Sequence, residues 1–409
     1  MTMLAMILMD TLTQAQISGV NGTSTFAATD TILCMESLPG GDLFFGTSGT
    51  GGNTAQFSRV DGSNTIDSIW YALRIPAMGL YATNSTNKVI GFYMISNSGM
   101  SYYNGTNIIG MPNQLNNTIT QKINVIRPIT NYYSLIGGDF SYYPGGNTSP
   151  SVTGYDIAYG AATSSYYLYQ FSALITQTSI CNDMTKNNLG DTVYACGKFD
   201  GSFGTTSIMR YVSYAQTPLY TDPAGGIITD IEMYHDSLFF IISPSPYIYR
   251  VSKNGGTATV VSTTIFGIKD MEVHDDKLFF GGLSLISYND GIWTTYIPNG
   301  QINSGGSIFT LASHNSSLYF GGNFLSINGN NNYRKLCKLD LITSISEDIK
   351  NIETHVTITG DRFKSDTEWT VYDMSGRTVM TGGPGTYSLT NTGLYIISTK
   401  YGSKKYFNK

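Results

Sequence analysis

The sequence holds only four histidines, and three of them recur in similar company: His235-Asp-Ser, His274-Asp-Asp and His314-Asn-Ser, each just ahead of an apolar run. Histidine beside a carboxylate is the usual material of acid–base catalysis and of metal ligation. The three sit at what read as equivalent positions of a repeated unit, however. Equivalent positions of a repeat are spread through a fold rather than gathered at one point, so a duplicated turn residue is the expectation. His355 stands alone. There is no Gly-x-Ser-x-Gly nucleophile elbow, no acidic calcium loop and no Cys-x-x-Cys pair. No catalytic constellation, metal site or cofactor is therefore expected. The one opening left to catalysis is a carboxylate pair: Asp139, Asp200, Asp222 and Asp230 would suit glycoside chemistry if the fold brought two of them together.

The four cysteines are Cys34, Cys181, Cys196 and Cys337. Cys181 and Cys196 flank a segment rich in Asn, Asp and Gly. They would form a disulfide in an exported protein, or remain two buried thiols in neighbouring strands.

Side chains suited to recognition are more plentiful. Asp139-Phe-Ser-Tyr142-Tyr143-Pro-Gly-Gly-Asn and Lys198-Phe-Asp-Gly-Ser-Phe203-Gly place aromatic rings among Gly, Ser and Asn, as does the stretch around Asn323. Flat rings with flexible polar neighbours form sugar platforms and paratope-like surfaces at low entropic cost. Asp139, Tyr142, Tyr143, Phe203 and Asn323 are the ligand-contacting residues expected on this basis. The alternative is that these rings pack only their own loops.

The elements that would position such loops follow from composition and repetition. Charged residues are 12% of the chain, while Gly (45) and Tyr (30) are abundant and no segment shows sustained helical spacing of apolar residues, so the class is all-β. An apolar-aromatic run ending at or near Gly recurs at positions 46, 91, 137, 196, 241, 281 and 321, with Leu43-Phe-Phe-Gly, Leu278-Phe-Phe-Gly-Gly and Leu318-Tyr-Phe-Gly-Gly as its clearest copies. Spacings of about 40–60 residues match four-stranded propeller blades. Asp61-Gly, Asn104-Gly, Asn254-Gly and Asp290-Gly keep phase with that run and mark hairpins between the outer strands. A seven-bladed β-propeller over 17–346 is expected, with Thr23–Ala28 completing the last blade and closing the ring. Tyr319-Phe-Gly-Gly-Asn-Phe, followed by Ser326-Ile-Asn-Gly, resembles Kelch-like repeats.

From 347 to 409 the composition changes: 15 of the chain's 51 charged residues fall in these 63 positions. Strand patterns continue over Val356–Thr359, Trp369–Asp373, Thr378–Thr381, Tyr387–Leu389, Leu394–Thr399 and Lys404–Phe407, as in a small β-sandwich. Val371-Tyr372-Asp373-Met-Ser-Gly376-Arg, then Gly393-Leu-Tyr395-Ile-Ile, then Lys404-Lys405, resembles the C-terminal sorting domain of the type IX secretion system of Bacteroidota. That resemblance implies recognition by an outer-membrane translocon and a place outside the cell. Residues 1–16 contain a short apolar core, Met3–Met9, and read as a signal peptide or an N-terminal extension, although basic residues are missing from its start.

A net charge of −5 disfavours nucleic acid, and no apolar run is long enough to span a membrane as a helix. The expectation is an exported, non-enzymatic propeller that binds a glycan or protein at the cell surface. The rivals are a virion structural or host-attachment protein of a phage infecting Bacteroidota and, behind it, a propeller lyase or hydrolase.

Overall fold

The structure is a computed structural model that describes residues 15–71 except 39–40 and 49–55 and, within 72–178, eight strands. It also describes 179–341 except 188–189, 202–203, 213–214, 244–246, 263 and 266, and 356–408 except 360–361, 374–377, 389–392 and 400–401.

Among the described residues, seven four-stranded sheets form the blades of the N-terminal unit. Blades 1–6 run consecutively: their first strands are Thr31–Ser37, Met78–Ala82, Lys122–Pro128, Ile180–Lys186, Ile227–Tyr234 and Asp270–His274. Blade 7 begins with Ile308–His314 and continues with Ser317–Gly322 and Leu336–Leu341. The first strand of each blade contacts the first strand of the next, and that of blade 7 contacts that of blade 1. The seven therefore close a ring around an axis, as the repeat predicts. Every apolar-to-Gly run lies in the second strand of its blade, from Leu43–Ser48 in blade 1 to Ser317–Gly322 in blade 7.

The paired glycines of blade 6 show why the run ends as it does. A Cβ on Gly281 would stand 2.7 Å from Ile308 of blade 7, so this position makes room for the neighbouring blade. One on Gly282 would meet the Gly267 carbonyl, where the chain enters the first strand.

Ring closure differs from expectation. The fourth strand of blade 7 is Ala15–Gly19, paired to Leu336–Leu341, whereas Thr23–Thr25 is a 3₁₀ turn. The displaced segment has another task. Phe26 is buried edge-on against Phe45, and Asp30 bonds the Ala27 amide at 2.8 Å. Between strand and turn, Asn21 pairs with the outer hairpin of blade 1 through Asn21 N–H to Asn64 O and Ile66 N–H to Asn21 O, both 3.0 Å. One short segment thus stitches blade 7 to blade 1.

The histidines also need correcting. Aligned on Leu238, Leu278 and Leu318, His235 matches the left-handed turn residues Asp275 and Asn315, with φ of 52°, 48° and 53°. His274 and His314 occupy the preceding position, at the ends of their strands. There they make the same bond across successive seams: His274 Nδ1 to Ser313 Oγ and His314 Nδ1 to Ser37 Oγ, both 2.8 Å. Blade 7 is thereby joined to blade 6 and to blade 1 by one repeated device.

All four cysteines are free. Cys181 and Cys196 belong to paired strands, but Cys181 packs with Val125 and Met184, and Cys196 with Ile228 and Phe240. They face opposite sides of blade 4, so no disulfide joins them and burial pushes both thiols well above their usual pKa.

The chain divides into two compact units, one of Ile17–Leu339 and one that contains Asp340–Lys409. The second has two sheets, one of three strands and one of four. Their shared core is Val356, Phe363, Trp369, Val371 and Ile397. Trp369 lies edge-on to Phe363 and Tyr387 and donates its indole N–H to the Gly383 carbonyl at 2.8 Å. Arg362–Ser365 is a strand that the sequence pattern misses.

Candidate functional site

The inner strands of a propeller have no sheet partner on the axial side, so their outward N–H and C=O groups need other partners. In this ring, side chains of one blade supply them to the next. Asn124 donates to Cys181 O (2.9 Å) and Arg127 Nε to Met184 O (2.6 Å). Asn182 donates to Ile228 O, while Asp183 and Thr185 accept from the amides of Ile231 and Met233. Asp270 accepts from Leu311 N–H, and Glu272 from Ser313 N–H at 3.0 Å.

These side chains form two tiers. Asp183, Asp230 and Asp270 are equivalent by register, opposite Cys196, Ile241 and Gly281 of their second strands. Two residues further along stand Glu36, Arg127, Thr185, Glu232 and Glu272. Part of this set lines an axial cavity of about 470 Å³, whose wall includes Glu36, Arg127, Asp183, Asp270, Glu272 and Thr310.

The electrostatics are lopsided. Four carboxyl groups, those of Glu36, Asp183, Asp270 and Glu272, share the wall with Arg127, which lies 3.9 Å from Glu36. Burial works against the guanidinium's charge, but Asp183, Glu36, Glu232 and Glu272 outweigh it and keep Arg127 protonated. Burial lifts the carboxyls. Glu272 is pushed up to about 7 and Glu36 is raised, both chiefly by desolvation. Asp230, Glu232 and Asp270 rise well above the carboxylate range through burial and, next, their acidic neighbours or, for Asp270, despite the Leu311 amide. Lys186, at the end of its strand, is held below its usual value by burial and by Arg127.

Of the acids singled out from sequence, only Asp230 belongs to these tiers; it is buried and is not among the residues lining the cavity. Asp139 is exposed at the end of its strand. Asp200 accepts from Thr205 at 2.8 Å and pairs with Lys198, and Asp222 holds the Gly226 amide at 2.6 Å. Asn323 ties loops together, accepting from Ser307 N–H at 2.6 Å and donating to Gly305 O at 3.2 Å. Tyr142, Tyr143 and Phe203 lie outside the described residues, as does Gly376. Val371, Tyr372 and Asp373 are in the strand Trp369–Asp373, Gly393 and Tyr395 in Gly393–Thr399, and Lys404 and Lys405 in Gly402–Asn408. Sequence reasoning missed Glu36, Arg127, Asp183, Asp270 and Glu272. A signal was available: Asp-x-Glu recurs as Asp230-Ile-Glu232 and Asp270-Met-Glu272, one blade apart.

No family model matches the chain, and no curated protein resembles it in sequence. Solved structures do share its fold. A streptogramin B lyase is 13% identical with a TM-score of 0.55, the match covering 80% of this chain and 98% of that one. A B. thetaiotaomicron protein described as the extracellular domain of a hybrid two-component system is 14% identical, with a TM-score of 0.53, over 97% of this chain and 59% of its own. The WD40 propeller domain of Doa1 is 8% identical with a TM-score of 0.50, over 80% and 96%. At such identities the likeness establishes the β-propeller fold, on which many unrelated activities are built.

Proposed function

We propose that the protein is an exported, non-enzymatic β-propeller that binds a glycan or protein at the outer cell surface, with residues 347–409 acting as a sorting domain read by a secretion translocon. The observation that carries this reading concerns the sorting-like motif. Its three segments are well separated in sequence yet lie on adjacent strands of one sheet. Asp373 is in register with Tyr395, and Ile396 and Ile397 with Lys405 and Lys404. Three segments brought onto adjacent strands of one sheet form a single structural unit, as a sorting signal read by a translocon requires.

The axial acids support binding over turnover, because Asp183, Asp270 and Glu272 already accept strand amides and have little freedom to move protons. The lyase reading has one specific support, the Glu272 carboxyl poised near neutrality. Turnover of candidate glycans or esters that disappears in Glu272→Gln would favour it.

The test of the main reading is a fusion of residues 347–409 to a reporter in a Bacteroidota host. Reporter at the surface supports it, and retention in the periplasm overturns it. For ligand binding, the Tyr142→Ala/Tyr143→Ala double variant should bind the recognised surface ten- to hundredfold more weakly with its fold intact.

A further inference from the structure

The two buried histidines among the described residues bracket one blade. His274 and His314, 5% and 6% exposed, close the first hairpins of blades 6 and 7, in register with Lys277 and Ser317. Their Nδ1 atoms bond Ser313 across the seam between blades 6 and 7 and Ser37 across the seam between blades 7 and 1. Blade 5 places Tyr234 at the same position, in register with Ser237, and its hydroxyl crosses the next seam to Asp276 O at 3.1 Å and Asn289 Oδ1 at 3.3 Å. The position is thus an inter-blade latch, made with a phenol between blades 5 and 6 and with an imidazole on either side of blade 7. Blade 7 is also the blade whose outer strand, Ala15–Gly19, comes from the far end of the chain. Both latch serines, Ser37 and Ser313, line the axial cavity.

We propose that blade 7 is an acid-released segment of the ring: protonation of His274 and His314 releases both latches and loosens this blade and the cavity wall it forms, while the seam between blades 5 and 6 stays closed. The device stands apart from the surface-binding reading. A protonated imidazole carries N–H on both nitrogens and needs two acceptors. His274 has one, because its Nε2 is buried without a hydrogen-bond partner. His314 Nε2 lies 3.1 Å from Asn315 Nδ2, itself a donor. The charged ring must turn to water for its second acceptor, and in turning it leaves the serine. Burial holds His274 below its usual 6.5 against Asp275, with Lys277 assisting and the Ser316 backbone opposing. Burial likewise holds His314 down against Asp42 of blade 1, which is itself paired with Arg59. The rings of Phe279 and Tyr319 complete the two surroundings. Below about 6.5 an opened seam takes up a proton that the closed seam refuses, so by pH 5 opening gains up to about thirtyfold per histidine. The Tyr234 phenol, pushed up to about 12, stays neutral throughout that range.

The axial acids titrate in the same range with the opposite sign, so the readout has to be local. Hydrogen exchange of the full chain at pH 5 and pH 7.5, read by mass spectrometry and corrected for the intrinsic pH dependence of amide exchange, compares Ile308–His314 of blade 7 with Ile227–Tyr234 of blade 5. The opening constant of the blade 7 strand should be at least fivefold larger at pH 5, and that of the blade 5 strand should change less than twofold. The His274→Gln/His314→Gln double variant should lose the difference between the two strands. The proposal is overturned if blade 7 opens no more at pH 5 than at pH 7.5, or if blade 5 opens equally. It is also overturned if the double variant keeps the pH dependence, which would assign that dependence to the axial acids. Should the double variant fail to fold, titration of the imidazole signals of the native protein by NMR replaces it. Both buried rings should then titrate below 6.5, and either one titrating at or above that value overturns the proposal.

Discussion

Two buried charges in the same ring are handled in opposite ways. Lys335, fully buried and with φ of 61°, sits where blade 7 meets the N-terminal segment. Its ammonium donates to the carbonyls of Ala28 (2.7 Å), Asp30 and Asn323 (3.3 Å), while Arg334 holds Phe26 O at 2.9 Å. The Lys335 ammonium has three acceptors, and those acceptors come from segments about 300 residues apart. At the axis, by contrast, carboxyls outnumber cations and Asp230 Oδ2 has no hydrogen-bond partner. A buried charge that is fully coordinated acts as a fastener, whereas one left short of partners retains capacity for a ligand or a proton. The seam thus fastens the ring, while the axis carries a surplus of buried acid.

The largest effect should come from breaking the seam. Lys335→Met strands three carbonyls and leaves Asp30 without its counter-charge, and should cost about 3 kcal/mol or more of unfolding free energy in urea titration. A loss below about 1 kcal/mol would mean that the carbonyls find other donors and that the contrast with the axis is false.

The next effect is at the axis and depends on pH. Carboxyls whose folded pKa is raised stabilise the fold fully below their unfolded value, near 4.5, and this contribution is lost as pH rises through the folded value, about 7 for Glu272. His274 and His314, held below 6.5 by burial, act in the reverse sense, losing stability as pH falls. Five raised acids against two histidines should give a melting temperature higher at pH 5.5 than at pH 8. Asp230→Asn should flatten that slope and stabilise the protein by about 1–2 kcal/mol at pH 8, since it removes a buried charge without a partner. A melting temperature that rises from pH 5.5 to pH 8 would contradict the charge surplus.

The smallest effects sharpen the seam. Ser313→Ala and Ser37→Ala each remove one histidine bond and should cost about 1 kcal/mol. Because the two bonds cross different seams, the double variant should show the sum to within about 0.5 kcal/mol. A sum well short of that would mean that the two latches work as one cooperative device.

Much of the architecture is local and was therefore legible. Leu278-Phe279-Phe280-Gly281 states both a buried strand and the close approach of the next blade, and Asp290-Gly291 supplies its own left-handed turn, with φ of 46° and 94°. The C-terminal strand Trp369–Asp373 announces itself in the same way, by apolar alternation ending at a turn. Such features depend on sterics and periodicity within a few residues, which a single stretch of chain contains.

Tertiary structure alone decided two things. Which N-terminal segment closes the ring depended on competition: Thr23–Ala28 has fair strand character, but burying Phe26 against Phe45 withdrew it, and the free edge at Leu336–Leu341 took Ala15–Gly19 instead. The axial site depended on closure itself. Glu36, Arg127, Asp183, Asp230 and Asp270 are separated by about a blade or more of sequence, and each reads singly as a polar residue in a strand. Only when seven first strands meet around one axis do these carboxyls lose water together and become a single interacting set, because desolvation and mutual repulsion act through space rather than along the chain.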